Sequence, residues 1–247
     1  MKRAGGLVVA FVGLTAVVLG LALKDGNAGS AQQTSAAPRV SAPGVSPSPS
    51  VKVRPRARPA LPIVKQVFRN NCETAALSML LVWDRIRVDQ VALQRDLVRS
   101  GPLDPYTSSA GLLVWGDPDK GYVGRAEGGG VAGGFGVYQG PIRRLAAKRG
   151  ARLVDLSRVP PAKIYARLAR GVPVMVWIGL SDGPYRRWVT PAGKQISANF
   201  GEHTVVLTGI RGGNVAVNDP LVGRRTTWTK ADFETMWLRL GRRALSY

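Results

Sequence analysis

One cysteine, Cys72, and one histidine, His203, occur in the 247 residues of the chain. That scarcity excludes an intrachain disulfide framework, a Cys/His zinc cluster and a c-type haem attachment. Acid is scarce too, with 15 Asp and Glu against 35 Lys and Arg and a formal charge of +20. Such a field attracts polyanions. No helix-turn-helix, RNP or finger pattern accompanies it, so nucleic acid is not an expected partner, and an anionic membrane or wall surface is. Neither an internal repeat nor a regular βαβ rhythm is present. Gly128–Gly133 spells G-x-G-x-x-G, but neither a buried strand before it nor a helix after it frames a dinucleotide site. Asp117-Pro118-Asp119-Lys120-Gly121 starts like a calcium loop and lacks the third ligand and the closing Glu, so it reads as a tight turn. No cofactor and no metal are expected.

What the chain does have begins at its N-terminus. Lys2-Arg3 precedes an uncharged run from Ala4 to Leu23, long enough to cross a hydrocarbon core of about 30 Å as a helix. Residues 1–23 are therefore expected to be a membrane anchor or a signal peptide, and either places the remainder of the chain outside the cytoplasm. Residues 24–61 turn to Ala, Ser, Pro and Arg without apolar period and read as a solvated tether. Residues 62–247 hold the patterned sequence and are expected to be one domain. The positive charge is shared, with +7 on residues 1–60 and +13 on the remainder.

Within the domain, Asn70 and Glu73 are spaced as a capping box ahead of the apolar run Ala75–Trp83, which predicts a buried helix. A second helix is expected over 88–99, and a long functional loop region over 101–140. Further helices are expected at 141–148 and 162–170, with a strand at 152–156 before the latter. Strands are then expected at 173–178, 203–210, 214–218 and 224–228, a short helix at 230–237 and a last strand at 242–246. Helices early and antiparallel strands late predict the α+β class.

Three places concentrate chemistry. Cys72 falls at the first turn of the predicted helix, where free N–H groups and the positive dipole end favour a thiolate. Taken in isolation, a cysteine there reads first as a small buried hydrophobic side chain. His203 begins a strand, and a three-residue loop Arg211-Gly212-Gly213 would pair Ile210 with Asn214 and set Asp219 opposite Val205. His203 and Asp219 would then share a face, close enough for imidazole and carboxylate to meet. Alone, the histidine could also be structural. Gln66, six residues before Cys72, could offer its amide to an oxyanion, or be an exposed polar residue.

Taken together, Gln66-x5-Cys72, the Ala/Leu/Met-rich helix, Glu202-His203-Thr204-Val205-Val206-Leu207-Thr208-Gly209 and Asn218-Asp219-Pro220 resemble family thirty-nine of the cysteine peptidases, the bacteriocin-processing type. The likeness is greater to its secreted peptidase C39-like branch, and Trp115–Gly124 is similar to a loop of that branch. It spans about residues 62–247. Cys72-Glu73-Thr74 stands where the family usually has Cys-Gly-Pro and resembles the branch's Cys-Glu variant. The resemblance implies a papain-like fold, with Cys72 as nucleophile, His203 as general base and acid, Asp219 orienting the imidazole and Gln66 in the oxyanion hole. The expected activity is that of an extracytoplasmic, membrane-tethered cysteine peptidase acting on a peptide or protein of the cell envelope. The alternative is a catalytically silent module on the same fold that binds envelope peptides or anionic wall polymers. The sequence leaves substrate and oligomeric state open.

Overall fold

A computed structural model describes residues 58–128 and 133–247. The expected anchor and most of the tether lie outside the described residues. Among those described, no helix is long and apolar enough to cross a membrane. Arg58 and Leu61, at the end of the stretch read as tether, are seated on the domain. Arg58 pairs with Asp84 at 2.9 Å and lies over the Trp83 ring, and Leu61 packs against the core.

The elements run in chain order α1 (Cys72–Leu81), α2 (Gln90–Asp96), β1 (Tyr106–Thr107), β2 (Leu113–Val114), β3 (Val123–Gly124), β4 (Gly134–Gly136), α3 (Gln139–Lys148), β5 (Val154–Asp155), α4 (Pro161–Ala169), β6 (Val174–Gly179), β7 (Tyr185–Val189), β8 (Gln195–Asn199), β9 (Glu202–Arg211), β10 (Asn214–Asp219), β11 (Arg224–Thr229), α5 (Lys230–Arg239) and β12 (Ala244–Ser246). The class is α+β, as expected. A six-stranded antiparallel sheet, ordered β11-β10-β9-β6-β12-β5, forms the centre. Period-two alternation sends Val206, Met175 and Trp177 to one face, where they meet Leu77 and Leu80 of α1. Val205, Leu207, Val174 and Val176 go to the other face, against Ile164 and Leu168 of α4 and Phe233 and Trp237 of α5. Every residue of α1 is buried, so the helix that carries Cys72 is held on all sides.

Several boundaries move. The α2 helix starts at Gln90 because the Asp89 carboxylate accepts from the N–H groups of Val91 and Ala92, and it stops at Asp96 because Leu97 is extended. The capping box of Asn70 and Glu73 does not form. Asn71 is the N-cap residue of α1 and makes no side-chain cap; instead its Oδ1 accepts from Phe68 N–H and its Nδ2 donates to Gln90.

The region 101–140 is more ordered than the loop reading implied, and 185–199 holds strands the sequence did not reveal. Here β1-β2-β7-β8 form a four-stranded sheet whose β2–β7 pair is parallel. These strands are short, and of β7 and β8 only Trp188, Ile196, Ala198 and Asn199 are buried. Trp188 donates its indole N–H to Gly116 O at 2.7 Å. Gly116 is required there, since a Cβ would lie 2.0 Å from Ser100 O. Asp117–Gly121 is the expected turn, and the buried Asp117 carboxylate pairs with Lys194 Nζ of the β7–β8 connection at 2.9 Å. The stretch Gly128–Gly133 is largely outside the described residues.

The β9–β10 hairpin reaches the expected register by another route. Asn214 pairs with Arg211, so the turn holds only Gly212 and Gly213, one residue fewer than expected. Between Ala216 and Val217 the partner then jumps from Gly209 to Leu207, leaving Thr208 as a bulge. Asn218 finishes opposite Val206, one step short of Asp219 opposite Val205.

Candidate active site

The His203 ring and the Asp219 carboxylate lie on the same face of the β9–β10 ladder, with His203 Nε2 2.7 Å from Asp219 Oδ1. Because the partner is a carboxylate, Nε2 carries the hydrogen and Nδ1 keeps its lone pair. Burial by itself would raise the Asp219 carboxyl. The His203 hydrogen bond and the N–H groups of Leu221 and Val222 outweigh it and hold the group below the usual carboxylate range. His203 is almost fully buried, so the pair is shielded from water.

Cys72 Sγ stands at the start of α1 and lines, with His203, Gln66 and Glu202, a cavity of about 340 Å³. Phe135, Phe200, Leu180 and Leu221 give it apolar walls, and Arg69 and Arg186 give it positive charge. The Arg186 guanidinium lies 4.9 Å from the centre of the Phe200 ring. A larger groove of about 560 Å³, over Leu113, Trp188 and Ile196 of the four-stranded sheet, offers the Ser197 hydroxyl but no cysteine, histidine or carboxylate to activate it. The chemistry therefore belongs to the smaller cavity.

The surroundings of the thiol reverse the expectation of an activated sulfur. Cys72 Sγ makes its hydrogen bond to Glu73 Oε2 at 3.5 Å; among the described residues it makes none to His203. Burial pushes the thiol well above its ordinary range, and the nearby carboxyls of Glu202 and Glu73 push in the same direction. The Thr204 backbone N–H opposes them. A helix N-terminus contributes about 0.3–1 kcal/mol, under one pKa unit, whereas full burial with like charge nearby shifts a group by several. Burial wins.

Glu73 and Glu202 are residues whose importance sequence reasoning missed. Glu73 is fully buried, and its Oε1 accepts from Val137 N–H at 2.7 Å. Glu202 is partly exposed through its cavity-lining side, but its carboxyl is buried and accepts from the Thr204 hydroxyl at 3.0 Å. An oxygen of each and the Cys72 sulfur lie within 4.8 Å of one another. Room for them comes from Gly136, at φ +118°, where a Cβ would lie 2.3 Å from Glu73 Oε1. Burial raises Glu73 to about 7 and raises Glu202 well above its ordinary value. The available signal was a lone charged residue in an otherwise uncharged buried helix, Cys72–Leu81, which the capping-box spacing explained away.

Gln66 is brought to the cavity, but its amide is occupied. Nε2 donates to the carbonyls of Phe68 at 3.0 Å and Arg69 at 2.8 Å, which uses both hydrogens. Its Oε1 is buried without a partner. Asn70 Nδ2 is likewise spent, on the carbonyls of Gly128 and Gly134. The donors at hand for an oxyanion are therefore the first N–H groups of α1 other than that of Glu73, which meets its own carboxylate.

This arrangement has counterparts. The Peptidase_C39 like family matches residues 53–245. YvpB of Bacillus subtilis (strain 168), itself uncharacterised, is 32% identical over 180 residues, which cover 71% of this chain and 68% of that protein. The crystal structure of a presumed C39-like peptidase from Bacillus anthracis is similar with a TM-score of 0.65 at 28% identity, over 76% of this chain and 94% of that one. An α1 buried against an antiparallel sheet, with Cys72 at its tip and His203 on the sheet, is the papain-like architecture, and the chain belongs to the Peptidase_C39 like family.

Proposed function

We propose that this chain is a cysteine peptidase in which Cys72 attacks the scissile carbonyl, His203 takes the thiol proton on Nδ1 and returns it to the leaving amine, and Asp219 holds the ring through Nε2. The observation that carries this reading is the 2.7 Å His203–Asp219 pair, lining with Cys72 one cavity in a peptidase-family fold. The tetrahedral oxyanion is met by the N–H groups at the tip of α1. For Gln66 to join them, its amide has to leave the Phe68 and Arg69 carbonyls. The Phe135, Phe200 and Leu180 walls take an apolar side chain of the substrate, while Arg69 and Arg186 favour an acidic neighbour or a carboxylate. The substrate is a peptide or protein of the cell envelope, reached by a domain tethered outside the membrane through residues 1–61; that placement rests on the sequence alone.

A second reading has its own observation. The thiol is buried, faces Glu73 and resists ionisation, as in a binding module built on a silent peptidase fold. The two readings part on turnover. Full-length protein incubated with peptides bearing acidic and apolar residues should release fragments that Cys72→Ser abolishes. Binding of the same peptides without cleavage, unchanged in Cys72→Ser, would establish the silent module.

A further inference from the structure

Beneath the sulfur the structure assembles more acid than the proposed reaction uses. Glu73 reaches in from α1 and Glu202 from β9, and their carboxyls and the Cys72 thiol form one buried cluster. Its hydrogen-bond donors are few: the N–H groups of Glu73 itself and of Val137 to the Glu73 carboxyl, the Thr204 hydroxyl to Glu202, and the thiol to Glu73 Oε2. The cation whose charge reaches Glu202 is Arg243, and it is already committed. Its guanidinium pairs with Asp119 at 2.9 Å, donates to Gln139 at 2.7 Å and lies over the Tyr138 ring at 3.6 Å. Facing the cluster from the remaining elements are Tyr122, whose hydroxyl donates to Asn70 O, and Tyr138, and around the shared cavity Arg69, Arg186 and the His203 ring paired with Asp219, none of which forms an ion pair with either carboxyl among the described residues. Two buried carboxylates side by side without a cation of their own cannot both ionise.

We propose that Glu73 and Glu202 are a proton-sharing positioning pair for Cys72: they retain at least one proton between them at neutral pH, hold the thiol in a neutral state turned away from His203, and set by their charge how readily the thiolate forms. The proposal rests on the reading of Cys72 as the nucleophile. The placing of Glu73 near pH 7 gives the sign. Below that pH the pair is neutral and the thiol is opposed by burial alone. Above it the pair carries one negative charge beside the sulfur, and ionisation of the thiol is pushed back further. The thiolate gain per unit of pH therefore flattens across neutrality, where an isolated thiol gains tenfold. When Cys72 does ionise, its proton passes to Nδ1 of His203, and the sulfur leaves the Glu73 hydrogen bond.

Alkylation of Cys72 by iodoacetamide tests this without any substrate, so its outcome does not depend on peptidase turnover. In the full chain the rate should rise by well under tenfold per pH unit between pH 6 and 8. Glu73→Gln keeps an acceptor for Val137 N–H and removes the charge. It should restore a slope near tenfold per pH unit and raise the rate at pH 8 by about tenfold. Glu202→Gln should act in the same direction. A merely structural role would scale the rate equally at every pH, and unchanged slopes in both variants would overturn the proposal. Infrared spectra of the unsubstituted chain carrying ¹³C-labelled glutamate give a second readout should the variants fail to fold. A protonated-carboxyl band is expected at pH 6 and should weaken across pH 7, and no such band at pH 6 would equally overturn the proposal.

Discussion

Replacing Glu73 by Gln should change how stability depends on pH more than it changes stability itself. Burial moves the Glu73 carboxyl from 4.5 to about 7, so the fold prefers the neutral form. The preference is fully present below pH 4.5 and is lost as pH rises through about 7. At 1.36 kcal/mol per unit the loss is about 3 kcal/mol. Glu202 is raised too and adds a loss of the same sign. Asp219, held below its ordinary value, works in the opposite sense, and its contribution is complete by pH 5. The wild-type domain should therefore be less stable at pH 8 than at pH 5. The amide introduced by Glu73→Gln cannot titrate and can still accept from Val137 N–H, so the variant should lack most of this slope. With a urea m value of about 2–3 kcal/mol/M for a domain of this size, the two midpoints should move relative to each other by about 1 M between pH 5 and pH 8. The assay is equilibrium urea unfolding of both proteins, kept at or below pH 8 to stay short of the thiol. Parallel midpoints across that range would show that Glu73 titrates as an ordinary surface carboxyl and would refute the buried-pair argument.

The other expectations are checked more simply. His203→Ala should lower peptidase kcat/KM by orders of magnitude, while Asp219→Asn should leave weaker but measurable turnover; full activity in His203→Ala would remove it from the base role. Gln66→Ala should cost well under the 10²–10³-fold in kcat expected of an oxyanion donor, because its amide is spent on two loop carbonyls, and a loss of that size would show that the amide swings to the substrate. Lys194→Met should destabilise the domain by about 1–3 kcal/mol in urea unfolding by leaving the buried Asp117 carboxylate without its cation. Protease added to intact spheroplasts should remove the domain by cutting first between residues 24 and 57, and an intact protected chain would count against the outer placement.

The parts of this fold that the sequence made legible are those with deep apolar pattern. The uncharged run after Glu73, the Ile164 and Leu168 face of α4 and the Val-rich strands β6, β9 and β10 each bury continuous surface, and periodicity reports burial. Strands β7 and β8 escaped because Tyr185-Arg186-Arg187-Trp188-Val189 buries one residue and Gln195-Ile196-Ser197-Ala198-Asn199 buries three, one of them the polar Asn199, so neither shows a long apolar alternation. The His203–Asp219 pair was legible because strand pairing turns sequence spacing into proximity. The Glu73–Glu202 pair was not, since it joins a helix tip to a strand start across 129 positions, and no local rule links them.

The Thr208 bulge gives the β9–β10 hairpin a property of parity. A straight ladder continued from the Asn214–Arg211 pair would bring Asp219 opposite Val206, on the face that carries Glu202 and Thr204. The extra residue flips that count, and the carboxylate emerges beside the imidazole instead of beside the acidic pair. Turn length and bulge are thus two halves of one odd–even sum. With the same residues, a three-residue turn pairing Ile210 with Asn214 would bring Asp219 opposite Val205 with no bulge at all, so the two-residue turn and the Thr208 bulge go together. The tip of this hairpin, exposed and glycine-built, has the look of a place where chain length is free to drift. Instead it sets the phase of a side chain at the far end of the strand.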